Sequence, residues 1–249
     1  MRFPFNPKIF PRLSLWLGIA GFALQVWLFS TGVDHKGLLE TGHPATGLTF
    51  LLSGVFLLLL ALGVQTLHPV TKYAHLFPAS HLRALGNVLG VVGLLYAAIF
   101  MHRPFDLLSV IILIFGLLAA AALVATALCR MKGRRTNFLL TCAITAFMLL
   151  HTVSLCRQWG TVSQVERYFF PLLASVFLLL TCYQHSLLSL QQGSRRQYVF
   201  FNQAALFFCM LSATEHMVFY LCMAGWMTLD RCSFRTRPKG RFLKGRNAQ

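Results

Sequence analysis

The hydrophobic pattern along this chain is a series of long, nearly unbroken apolar runs separated by short polar connections. It is neither the strict alternation of a half-buried strand nor the one-sided stripe of a soluble helix. Seven runs read as membrane spans, at about residues 13–31, 45–67, 84–101, 107–129, 137–156, 168–190 and 199–229. Crossing roughly 30 Å of hydrocarbon takes about 20 apolar residues. In lipid the backbone polar groups must be satisfied within the segment, so the pattern predicts helices. The expected fold is all-α: a polytopic transmembrane helical bundle over 1–230, followed by a basic tail over 231–249 whose Gly, Pro and charge predict disorder.

Two runs carry more detail. In the third, Gly86, Gly90, Gly93 and Ala97 recur at i+4, i+3 and i+4 steps. They make one small-residue face suited to close helix approach inside the bundle. The tight connection from His102 to Asp106 then predicts that runs three and four form an antiparallel hairpin. The last run is harder to place. As a straight helix it would be about 46 Å long at 1.5 Å per residue, too long for one upright span and too short for two. The leading expectation is a seventh span, tilted or kinked. The alternative is six spans plus a re-entrant or interfacial last segment that turns near Ser212 to His216.

Composition supports the membrane reading: 57% of residues are hydrophobic and 11% charged, and the connections leave little room for a soluble domain. The net charge of +16 changes the picture through where it falls. Arg2, Lys8, Arg12, Lys72, Arg83, Arg130, Lys132, Arg134, Arg135, Arg195 and Arg196 lie in alternate connections, against Lys36, Arg103, Arg157 and Arg167 in the others. Basic residues concentrate on the cytoplasmic side, so the N-terminus is expected inside the cell, in the cell membrane. The first run, longer than a usual signal core, is expected to stay as an uncleaved span. Seven spans would put the basic tail outside, in conflict with the same rule. The basic loops and tail suit anionic lipid headgroups, and the membrane setting also allows a membrane-protein partner. Nucleic acid is not expected as a partner, because the tail lacks an aromatic stacking pattern. The seven cysteines show no CxxC pairing and read as small packing residues.

Candidate chemistry centres on the last run, where Glu215 and His216 are adjacent. An ionisable pair is costly in lipid and is a functional candidate by default. Asn202, Cys209, Ser212 and His216 fall at i+7, i+3 and i+4 steps and are expected to share a face turned into the bundle. Counted from the inner ends of their helices, His151 and His216 stand at comparable depth, so the two are expected to be able to meet. The candidate substrate- or ion-binding residues are therefore Glu215, His216, His151, Ser212 and Asn202. His102, His151, His216 and Glu215 offer nitrogen and carboxylate ligand types, but no local spacing fixes them together, and no metal or cofactor is assigned. His185, near the inner end of its span, reads as interfacial or helix-capping, and His68, His75 and His81 as a solvated loop. The chain carries no Walker loop, GxSxG elbow or dinucleotide fingerprint, so no motif supports an enzyme. Three functions are compatible with these features: an ion- or proton-coupled small-solute transporter, a non-catalytic membrane regulator or partner subunit, and an intramembrane metal or haem protein.

Overall fold

A computed structural model describes residues 9–32, 43–65, 67, 81–102, 107–132, 136–159 and 165–230. The basic tail, residues 33–42 of the first connection, the loop holding His68 and His75, and residues 133–135 lie outside the described residues. Eight α-helices follow one another within them: α1 (Ile9–Thr31), α2 (Pro44–Gln65), α3 (His81–Phe100), α4 (Leu107–Met131), α5 (Phe138–Trp159), α6 (Val165–Ser189), α7 (Arg195–Leu211) and α8 (Met217–Asp230). The first six are long and apolar enough to cross a membrane. His81, expected in a loop, instead begins α3.

The single tilted span expected over 199–229 does not form; the last segment takes the alternative form and folds back on itself. α7 has 17 residues and α8 has 14, joined through a 3₁₀ turn at Ser212–Thr214. At 1.5 Å per residue the two helices are about 25 and 21 Å long, each short of a full crossing. Their direction follows from side-chain pairs. Tyr198, near the start of α7, donates a hydrogen bond to Asp230 at the end of α8, and Asn202 meets Met227 at 3.1 Å. The helices are therefore antiparallel, and the chain leaves α8 at the end of the bundle where it entered α7. Small and polar Ser212-Ala213-Thr214-Glu215-His216 supplies little apolar packing to hold the turn straight. Ser and Thr also compete for nearby backbone groups. The helical ladder resumes where the amide of Tyr220 donates to the carbonyl of His216.

This hairpin is the centre of the bundle. α7 packs against α1, α2 and α6, and α8 against α3. Every residue from Asn202 to Cys209 is buried. The outer helices turn large apolar side chains outward, as Leu82, Leu85, Val88 and Val92 of α3 do, and small ones inward. In lipid, burial of apolar side chains does not drive helices together, so close backbone approach and van der Waals contact must do it. The small face of α3 serves that purpose within the bundle. A methyl group built on Gly86 would stand 2.8 Å from Cβ of Leu229, and one on Gly90 would stand 3.0 Å from the Trp226 ring. At Gly93 the distance to Cβ of Cys222 would be 3.2 Å. α3 also packs along α4, as expected. The described cysteines are all unbridged.

Candidate functional site: two polar clusters at the ends of the hairpin

At the turn of the hairpin, Glu215 and His216 are half-buried. The pair that lies mid-run in sequence is thus carried to the tip of a fold-back, near the end of α3 that holds His102. His216 is within electrostatic reach of both His102 and His151 and is itself acted on by Glu215. His151 of α5 is fully buried, between the rings of Phe147 at 6.0 Å and Phe219 at 5.1 Å. Its Nδ1 lies 3.0 Å from Nε2 of His102, and Nδ1 of His102 lies 3.0 Å from Oγ of Ser154, one turn along α5 from His151. His102 sits just past the last residue of α3, and burial, reinforced by nearby His216, pushes its pKa down from the ordinary value to about 4.

The remaining sequence candidates are distributed along the hairpin. Ser212 is buried at the turn. Asn202 is two turns above the base of α7, where its Oδ1 accepts from Nε2 of Gln203 at 3.0 Å, and it is not brought to Glu215 and His216. The face expected to run from Asn202 to His216 is interrupted because the helix ends at Leu211. His102 and His151 direct nitrogens at each other rather than at a common point. Among the described residues no group of three or more His, Cys, Asp or Glu side chains is placed to hold a metal ion.

A second cluster at the base of the hairpin has no counterpart among the sequence candidates. Arg130, the last basic residue of α4, is buried and ion-paired with buried Asp230. The carboxylate also accepts the Tyr198 hydroxyl, so one acid ties both ends of the hairpin to α4. The other Arg130 nitrogen, Nη2, is 2.7 Å from Nε2 of His185. A guanidinium only donates, so that ring nitrogen is the acceptor and His185 carries its proton on Nδ1. His185 is therefore a half-buried partner of Arg130 and not an interfacial cap, because α6 delivers it beside the α4 terminus. A cavity of about 20 Å³, room for one water, is lined here by Asn87, Thr126, Arg130, His185, Tyr198 and Asp230, among others. One sequence signal was available. Asp230 is among only six acidic residues and ends the last apolar run, directly before the basic tail. Its partner is 100 positions away, a pairing that no local spacing encodes.

Comparison with known proteins yields no match for this chain among family models, curated proteins or solved structures.

Proposed function

We propose that this integral membrane protein is a proton- or small-cation-coupled transporter of a small solute, with the central hairpin as its working element. The observation that carries this reading is the turn itself. It sets an ionisable Glu215–His216 pair on non-helical backbone, within electrostatic reach of His102 and His151. Irregular backbone within a membrane-spanning bundle is tolerated where it is enclosed by protein or lines a cavity, and broken segments are where secondary transporters bind ions and substrates. In this reading Glu215 and His216 take the coupling ion, His151 and Ser212 line its path, and Asn202 with Gln203 forms a polar step deeper in the hairpin. The Arg130 end faces the cytoplasm. Basic residues gather there, and the return of α8 to that end lets the tail leave on the same side and meet anionic headgroups.

The test is ion flux into vesicles reconstituted with the purified full-length protein. Internal pH is followed with a trapped dye under an imposed proton gradient, and Na⁺ and K⁺ gradients are run in parallel. One of these ions should move faster than in empty vesicles. Glu215→Gln should cut that flux at least tenfold while leaving the melting temperature unchanged, since the amide still hydrogen-bonds. Absence of flux for all three ions, or a Glu215→Gln variant that transports like the parent, would overturn the proposal in favour of a non-catalytic partner subunit.

A further inference from the structure

The two hydrogen bonds that join Ser154, His102 and His151 have a property that neither histidine has alone. Each ring nitrogen in the chain either gives or receives, so fixing one fixes the rest. If the Ser154 hydroxyl donates to Nδ1 of His102, then Nε2–H of His102 donates to Nδ1 of His151, and His151 must carry its proton on Nε2. If His151 instead donates from Nδ1, His102 accepts at Nε2 and donates from Nδ1 to Ser154, and Nε2 of His151 is bare. That Nε2 atom is fully buried and has no hydrogen-bond partner among the described residues. The other end of the chain of bonds, Ser154 Oγ, is also buried, and it is held by His102, on which the half-buried His216 of the hairpin turn acts electrostatically. The arrangement therefore links two buried atoms of α5, Ser154 Oγ and His151 Nε2, by way of His102, through groups that can all pass a proton.

We propose that Ser154, His102 and His151 form a proton relay, which deepens the transport reading above and rests on it. In one passage, a hydronium ion reaching Ser154 from the side of the half-buried turn gives a proton to its Oγ, leaving water, as the hydroxyl proton moves to Nδ1 of His102. Nε2 of His102 releases its proton to Nδ1 of His151, and Nε2 of His151 releases its own to water inside the bundle. One proton enters and one leaves, and each ring ends in its other neutral tautomer. The groups near the relay are His216 from the hairpin turn, itself acted on by Glu215, and the rings of Phe147 and Phe219 beside His151. Two further buried oxygens at this end of the hairpin, Ser212 Oγ and Tyr220 Oη, also lack partners among the described residues, so polar atoms remain to receive that water.

The relay is tested by its tautomers, which a merely structural bond would not couple. In full-length protein in phosphatidylcholine bilayers, labelled with ¹⁵N at the histidine rings, magic-angle-spinning spectra distinguish the protonated from the bare ring nitrogen. His102→Gln and His151→Gln assign the signals by their loss. The relay requires His102 and His151 to show both tautomers, in equal proportions and exchanging together. Ser154→Ala should shift the tautomer ratio of both rings together, because it takes away the partner of Nδ1 of His102 and so leaves an orphaned buried N–H in either arrangement, where the parent has one only when His151 is protonated at Nε2. Fixed tautomers in the parent protein, or populations that change independently, would overturn the relay even if ions flow. Loss of flux in the parent would overturn the transport reading while leaving the tautomer result to decide the relay. Where the parent conducts protons, Ser154→Ala should slow that flux at least fivefold at a temperature where the variant is still folded, and an unslowed variant counts against the relay.

Discussion

Asp230→Asn is the perturbation whose size the geometry defines best. The carboxylate is buried, ion-paired with buried Arg130 and hydrogen-bonded by Tyr198. An asparagine fits the same space, but its single oxygen can accept from Tyr198 or from Arg130 and not from both, so shape is kept while the charge and one acceptor are lost. Arg130 then becomes a buried cation without its counter-charge. Removing one partner of such a pair costs about 3–5 kcal/mol, whereas neutralising both leaves no stranded charge. For a chain of this length, each kcal/mol corresponds to about 2–4 °C in melting temperature, so the single variant should melt on the order of 10 °C lower. Arg130→Gln/Asp230→Asn should recover much of that loss, with a coupling energy of about 2 kcal/mol in the double-mutant cycle. Thermal unfolding of the four proteins in one detergent at pH 7 measures it. If Asp230→Asn melts within a degree of the parent, or the double variant is no better than the sum of the singles, the base of the hairpin is not held by this pair.

Three further outcomes follow from the packing. Because α8 returns to the Arg130 end, single cysteines placed at Gly133 and Gly240 should react with an impermeant thiol reagent from the same side, and one at Gly37 from the other; labelling of Gly133 and Gly240 from opposite sides would contradict the hairpin. Gly86→Val should destabilise by about 1–3 kcal/mol, since the small face of α3 has no room before Leu229, while Gly54→Ala on α2, where an added methyl meets nothing within 4 Å, should change stability by less than about 0.5 kcal/mol. Acid should weaken the fold through His102. Its folded-state pKa is held down to about 4 by burial and by His216, so its contribution is intact above about pH 6.5 and is lost as pH falls towards 4. His102→Gln should flatten melting temperature against pH in that window.

How much of this was legible in the chain differs between fold and site. Six spans and the inward small face of α3 follow from run length and residue size, because lipid imposes a crossing length and rewards close approach whatever the helices' partners are. His151 and His216 were expected to be able to meet from depth alone, since rise per residue converts sequence position into height, and the ring hydrogen-bonded to His151 is instead that of His102. Azimuth was not available in the same way. Which face of α5 turns towards α3, and so whether nitrogens meet as a hydrogen-bonded pair or as a ligand set, depends on packing against every neighbour.

The hairpin marks the division between what sequence and tertiary structure each decided. By itself the sequence determined that residues 199–229 are apolar, too long for one upright crossing, and interrupted by Ser212 to His216. Both a tilted span and a fold-back satisfied those facts, because backbone hydrogen bonds are made inside the helix either way. Only the tertiary structure chose between them. The α3 groove formed by Gly86, Gly90 and Gly93 receives α8, and Asp230 returns to Arg130 and Tyr198. Those contacts join positions from 32 residues apart, Tyr198 and Asp230, to 143 apart, Gly86 and Leu229, and their energies exist only once the helices stand side by side.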